Sequence, residues 1–402
     1  MNGALSDITV LELANWVAGP SAGAIMADMG ANVIKVEPLA GDSMRNTLRQ
    51  PVRPPGAPKT DYPFHLDNRG KRSLAVDLGS EEGSALVREL ALDADVIITN
   101  LLPGRLERFG LGYEQLRAAN PALVYALVTG YGSTGDDANR IAFDLTAFFG
   151  RGGIMSLMGE PGGPPPVFRP GQGDHPTGLA LLSGVLAALR VRDKTGQGQM
   201  VETALVRTAA WTVACDVAVA LVDGEQPNKR ARNQAFSPMN TTFETKDGRW
   251  IILSTFNQGL WDRFCHAVER PDLIDDPRFA TPVDRFRNNE ELIGILDQVF
   301  ATKSADEWKE PMDSTGIIWA KIAEMPDLIN DPATIEMEMY PEVHHPEAGP
   351  FRTLAAPFTL SSNPLVVQGV GPEVGEHTDQ VLNEFGVPAD RVASLRNAGV
   401  IK

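Results

Sequence analysis

Five short runs in the first third of the chain are rich in Val, Ile and Leu: 8–14 (ITVLELA), 32–37 (NVIKVE), 73–78 (SLAVDL), 95–100 (DVIITN) and 123–129 (LVYALVT). Nearly unbroken apolar runs of this length predict strands buried on both faces. Between them Ser21–Met29, Glu81–Leu92 and Tyr113–Ala119 carry apolar residues at helical spacing. Strand and helix therefore alternate, which predicts an α/β fold whose parallel sheet is covered on both sides. Ligands of such sheets lie at the carboxyl ends of the strands. Here those ends run into Asn15–Pro20, Pro38–Arg45 and Asn100–Arg108, loops punctuated by Gly and Pro and tipped with polar side chains.

From about residue 225 the pattern changes. The stretch GEQPNKRARNQAFSPMN is polar and loop-like, and TTFETKDGRWIILST then predicts a β-hairpin turning at Asp247-Gly248. Helical patterns follow at 258–269, 288–301 and 304–313, the last opened by the capping-box signal Ser304-Ala-Asp-Glu307. This reads as a smaller α+β domain. The Pro-rich 326–364 is expected to be irregular, and a helix near 376–385 is expected to return to the first domain.

The stretch Gly171–Leu189, GQGDHPTGLALLSGVLAAL, joins a turn to a helix. Two glycines, Gly171 and Gly173, bracket a polar loop, Asp174 stands at the junction, and apolar residues run from Leu179 to Val191. A carboxylate there meets free N–H groups and the positive end of the helix dipole, which favour its ionised form. Asp174 can be the helix cap, with Pro176 tolerated in the first turn, or it can be a nucleophile. The local pattern leaves both open.

At 402 residues and 43% apolar the chain is long enough for two domains. A net charge of −16 makes nucleic acid and anionic membranes poor partners, although a local basic pocket is still allowed. The first residues lack a basic and apolar leader, and the longest apolar windows, Leu179–Val191 and Ala209–Val222, are too short or interrupted by Asp216 to span a bilayer. The two cysteines, Cys215 and Cys265, lie in apolar surroundings and read as free buried thiols of a reduced cytoplasm. Gly130–Gly135 fits G-x-G-x-x-G, but two acids follow it and no helix start, so it is not read as a dinucleotide loop. His344-His345 has no further ligand at metal spacing and is expected in an exposed loop, with no metal. The cluster Asn68-Arg-Gly-Lys-Arg72 is either a solvated turn or a phosphate contact.

Taken together, several stretches resemble the family III acyl-CoA transferases (formyl-CoA transferase and carnitine CoA-transferase type), a fold shared with the α-methylacyl-CoA racemases. They are VLELANWVAGPSAGAIMADMGANVIKVE, NRGKRSLAVDL, DVIITNLLPGRLERFGLGYEQL, GDHPTGLALLSGVLAALRVRDKTGQGQMVETAL and VGEHTDQVLNEFG, in the family's order over nearly the whole chain. The resemblance implies a Rossmann-like large domain built from both termini, a smaller α+β domain, and an interlocked homodimer. On this sequence that means 1–205 for the first part of the large domain, 206–226 as linker, 227–325 for the small domain, 326–364 as return linker and 365–402 for the rest.

The resemblance also implies roles. The family's nucleophile falls on Asp174 and its facing acid on Asp144. Positions that contact coenzyme A fall on Val17 and Ala18 beside the thioester, Lys71 and Arg72 on the phosphate side, and Asn100, Leu101 and Arg108. The substrates implied are an acyl-CoA and a small carboxylic acid. Departures are Pro38 where a basic residue is common, Val17 in place of a Gln used by oxalate-handling members, and Asn233–Pro238 in place of a glycine-rich lid, so oxalate and formate are not expected. The chemistry implied is attack of Asp174 on the thioester, with the N–H groups of the adjoining glycines as candidate oxyanion donors. The alternative on the same fold is an isomerase: a racemase, or an enzyme moving CoA within one diacid. The family's racemases place His-Asp where this chain has Phe143-Asp144, and Phe143 cannot carry a proton. Trp16, Phe143, Phe236 and Phe243 are candidates for an apolar acyl pocket.

Overall fold

The computed structural model describes residues 3–46, 60–255 and 257–402. Six parallel strands form one sheet: β1 (Thr9–Leu13), β2 (Asn32–Glu37), β3 (Arg72–Ala75), β4 (Val96–Thr99), β5 (Val124–Thr129) and β6 (Met200–Ala204). Their order across the sheet is β3-β2-β1-β4-β5-β6. That is a doubly wound arrangement, in which the order reverses between β1 and β4. The five strands read from the sequence are all present, and β6 is an edge strand that its short, partly polar MVETA did not announce.

Alternate residues build two cores, as a strand's two-residue period requires. Leu11, Leu13, Ile34, Val36, Ile97, Tyr125 and Leu127 face one side, against Leu86, Val87 and Leu90 of the helix Glu81–Leu90. Val381 and Leu382 of the C-terminal helix Thr378–Glu384 join this core. Val10, Val33, Val96, Ile98, Val124 and Ala126 face the other side, against Ala22, Ile25 and Met26 of α1 (Ala18–Asp28) and Leu181, Leu182 and Val185 of the long helix Asp174–Thr195. Close approach of these last two helices needs Gly178, where a Cβ would lie 2.2 Å from Ser21 Oγ and 2.7 Å from the Ala18 carbonyl oxygen.

The chain divides into two compact units. The first comprises Met1–Ser156, Val167–Glu225 and Ala333–Lys402; the second comprises Leu157–Pro166 and Gln226–Pro332. In the second, antiparallel strands Thr242–Glu244 and Trp250–Leu253 form the hairpin expected at Asp247-Gly248, and Trp319–Lys321 adds a third strand. Residues 206–226, expected as the first linker, are largely helical, in Leu205–Thr212 and Ala214–Asp223. The second has no buried residue. Among the described residues no single helix is long and apolar enough to cross a membrane; these two pass by length and composition only as a pair bent by 86°.

Candidate active site

The site forms where the strand order reverses. Asn15 after β1 and Asn100 after β4 clasp each other: the Asn15 N–H donates to Asn100 Oδ1 (3.0 Å), and Asn100 Nδ2 donates to the Asn15 carbonyl (2.7 Å). Trp16 follows with φ of 70°, a left-handed conformation that costs a bulky residue about 1–3 kcal/mol. Its N–H is held by Asp42 Oδ1 at 3.1 Å. Asp42 is fixed from beneath by Lys35 (2.7 Å), which also pairs with Glu12 (3.1 Å), its cross-strand neighbour on β1. Glu12 in turn holds Lys71 at 2.6 Å. The side chains of Glu12, Lys35, Asp42 and Lys71 in these pairs are all 0% exposed.

Asp174 is the first residue of its helix, and Gly173 occupies the cap position without a side chain to bond. The capping alternative for Asp174 is thereby removed. Its carboxylate makes no hydrogen bond or ion pair among the described residues. Burial, then the negative charge of Asp144, push its pKa up to about 7, with His175 opposing and Asp67 adding to the rise. Asp144 heads a π-helical turn, Leu145–Arg151, and one oxygen accepts from the Leu145 N–H at 2.8 Å. Its other oxygen accepts from the N–H groups of Gly171 (2.8 Å) and Gly173 (3.2 Å). The two glycine donors considered for an oxyanion are thus occupied by Asp144. Gly171, at φ of 89°, and Gly173, whose Cβ would lie 2.6 Å from the Phe148 ring, let the loop wrap this acid. His175 lies between Asp67 Oδ1 (3.1 Å to Nε2) and the Gly171 carbonyl (3.0 Å to Nδ1).

Asp174 opens into a cavity of about 330 Å³ walled by Asn15, Trp16, Ala18, Leu101, Phe143 and Leu205 among others. The ring of Trp16 meets that of Phe143 edge-on, 5.1 Å between centroids. Asn15, Ser43, Leu101 and Arg105 also line a larger cleft of about 1020 Å³ that runs over the ends of β1, β2 and β3 to Arg88 and Arg108. Arg105 and Arg108 are exposed and make no ion pair among the described residues, and their guanidinium groups lie 5.8 and 5.4 Å from the Phe109 ring centroid. Asp77 and Glu81 stand on the same cleft, so its charge is mixed. The N–H groups of Ala18 and Gly19, first in α1, have no hydrogen-bond partner among the described residues.

Asn100, Leu101, Ala18 and Asp174 therefore meet at the small cavity, and Leu101 and Arg108 at the cleft. Val17 is buried beside them, against Met44 and Phe64. Lys71 and Arg72, expected on the phosphate side, have partners already: Lys71 is 4% exposed and bonded to Glu12, while Arg72 binds Glu384 (2.7 Å) and Asn32. Arg69 completes the cluster by gripping Asp28 at 2.6 Å, so the three cations of the run each have a carboxylate partner. Phe243 is in the core of the second unit, and Phe236 is 64% exposed under Arg230. His345 is buried in a strand pair, Glu342–His345 with Gly349–Arg352, and not in an exposed loop. Cys265 is buried as expected; Cys215 is exposed. Among the described residues no group of three or more His, Cys, Asp or Glu could hold a metal ion. The residues sequence reasoning missed are Asp67, His175, Asp42 and Arg105. Arg105, Asp42 and His175 lay inside stretches already singled out, Asn100–Arg108, Pro38–Arg45 and Gly171–Leu189; Asp67 carried no signal.

The sequence matches the description of CoA-transferase family III over residues 5–378. It is 29% identical over 399 residues to a (R)-2-hydroxy-4-methylpentanoate CoA-transferase of Clostridioides difficile, covering 99% of each chain. It is 31% identical over 394 residues to a cinnamoyl-CoA:phenyllactate CoA-transferase of Clostridium sporogenes, covering 97% of this chain and 95% of that one. Among solved structures, a CAIB/BAIF family protein from Brucella suis superposes with a TM-score of 0.85 at 31% identity, covering 96% of this chain and all of the other.

Proposed function

The chain belongs to CoA-transferase family III and is an enzyme of that family, and from that premise we propose that it moves CoA from an acyl-CoA to a carboxylic acid through covalent intermediates on Asp174. The observation that carries this reading is the Asp174 carboxylate itself: half-buried, without a hydrogen-bond partner among the described residues, and open to a cavity. A structural acid would be paired.

The Asp174 carboxylate attacks the thioester carbonyl, and expulsion of the CoA thiolate leaves a mixed anhydride. The thiolate then attacks the aspartyl carbonyl, the donor acid departs, and an aspartyl-CoA thioester remains. The acceptor carboxylate reverses both steps and frees Asp174 as its carboxylate. A carboxylate is a weak nucleophile in water, and confinement beside the thioester supplies the effective concentration. With the glycine donors held by Asp144, the oxyanion falls to the free N–H groups at the start of α1, Ala18 and Gly19, where the helix dipole adds to the attraction. Asp144 acts by shaping the Gly171–Gly173 loop and touches no substrate.

Arg105 and Arg108 are assigned to the phosphates of CoA. Each replaced by Ala should raise KM for the acyl-CoA about tenfold, ~1.4 kcal/mol, with kcat nearly unchanged and a smaller effect at high salt. A fall in kcat at constant KM would count against the assignment. Trp16, Phe143 and Leu205 suit a compact apolar acyl group, in keeping with the branched and aromatic acids in the names of the two relatives above. Phe143 offers no proton to an α-carbon, which supports transfer over racemisation.

We further propose the domain layout given above, a cytoplasmic enzyme, and an interlocked homodimer. The support for the dimer is an apolar groove of about 540 Å³ at Trp211, Val217 and Leu221, with Trp211, Leu221 and Val222 each more than 80% exposed. Sedimentation at micromolar concentration should give only dimer up to the unfolding transition; a stable monomer would contradict it.

A further inference from the structure

Three carboxylates, Asp67, Asp144 and Asp174, converge on the first turn of the Asp174 helix, and the His175 ring, 46% exposed, lies against them. Both ring nitrogens of His175 face atoms that only accept. Nδ1 lies 3.0 Å from the Gly171 carbonyl oxygen and Nε2 lies 3.1 Å from Asp67 Oδ1. A neutral imidazole carries one N–H and would set a lone pair against one of those oxygens; an imidazolium satisfies both. Asp67 is 4% exposed on its side chain, so the carboxylate is itself in need of a cation.

We propose that His175 is a positioning residue, held as an imidazolium between Asp67 and the Gly171 carbonyl, whose charge keeps the adjacent Asp174 ionised. The proposal rests on the nucleophilic reading of Asp174. Two neighbouring carboxylates work against ionisation there: Asp144 across the glycine loop and Asp67 from the helix Tyr62–Asn68. Lys71 also feels Asp67, but its ammonium is bonded to Glu12, leaving His175 to offset both. Burial alone would lower the His175 pKa, yet the hydrogen bond and charge of Asp67, with the Gly171 carbonyl and the charge of Asp174, outweigh it and leave it raised. The same side chain fixes the glycine loop through its Nδ1, so one residue joins the shape of the loop to the charge of the nucleophile.

The test is the pH dependence of kcat/KM between pH 5.5 and 9, measured as CoA exchange from an acyl-CoA to a carboxylic acid. Ionised Asp174 gives the wild type an acidic limb near pH 7. His175→Gln should move that limb up by about one pH unit, a roughly tenfold loss at pH 6 that shrinks as pH rises. His175→Arg, which keeps a cation with several donors, should leave the limb near its wild-type position. A rate lowered equally at every pH, or limbs displaced alike in the Gln and Arg variants, overturns the proposal. Nitrogen-15 NMR of histidine-labelled wild type gives a reading independent of any variant's folding: both His175 nitrogens protonated at pH 7 is expected, and a neutral ring overturns it. Failure of the underlying reading looks different, since it would appear as exchange surviving in Asp174→Asn.

Discussion

Asp174→Asn should lose CoA exchange by at least about 10⁴-fold, as removal of a covalent nucleophile does, and should melt at the same temperature as the wild type or a few degrees higher. The second half distinguishes the account from a structural one. If Asp174 capped its helix, Asp174→Ala would destabilise by about 1 kcal/mol while Asn would still cap; with Gly173 in the cap position and no hydrogen bond to lose, neither variant should melt below the wild type. The sign follows from the pKa. An acid whose folded pKa is raised, here from 3.8 to about 7, binds its proton more tightly when folded, so its ionisation opposes folding as pH rises through that window. The amide has no charge to desolvate. Calorimetry at pH 8 together with an exchange assay checks both parts, and a lower melting temperature with partial activity would contradict them.

Lys35→Met should be the most destabilising single change at the site's foundation. The ammonium is enclosed between Glu12 and Asp42 and also donates to the Ala14 carbonyl at 2.9 Å. Burial works to lower its pKa, but the two carboxylates more than compensate and hold it charged. Methionine fills the space and leaves Asp42 buried without its cation, which costs about 3–5 kcal/mol and lowers the melting temperature by roughly 10 °C. Trp16 should be affected as well, because Asp42 holds its N–H in the left-handed conformation. The double variant Lys35→Met with Asp42→Asn should melt above the single one, since the orphaned charge is then gone. A single variant within 2 °C of wild type would show that the buried pairs contribute little.

The strands were legible because Val, Ile and Leu in β1, β2, β4 and β5 are buried on both faces, and such runs differ from any surface element. The same feature hid the charges. Glu12 and Lys35 sit inside those runs, and nothing in either run alone shows that parallel register sets them side by side. β6 escaped because an edge strand needs little apolar sequence, and the helix Ala214–Asp223 escaped because none of it is buried in the chain. At the site, Asp174 was visible as an acid at a helix start, but its partners were not. Asp67 and His175 lie 108 positions apart, Asn15 and Asn100 85 apart, and both contacts exist only through the crossover of the chain between strands. The basic cluster Arg69–Arg72 shows the same limit: a charge run shows cations, and only the fold shows that Asp28, Glu12 and Glu384 pair with them. Arg105 and Arg108, in a run no more basic, are left without an ion pair among the described residues and can meet a phosphate.

Passage of acyl exchange through Asp174 can be read by chemical trapping. Incubating the enzyme with an acyl-CoA and hydroxylamine, digesting it and mapping the peptides by mass spectrometry should place a hydroxamate on Asp174 that depends on the acyl-CoA. An unmodified Asp174 in enzyme that loses no activity to hydroxylamine, together with solvent deuterium washing into the α-position of a chiral acyl-CoA, would contradict the account and assign the site to proton transfer.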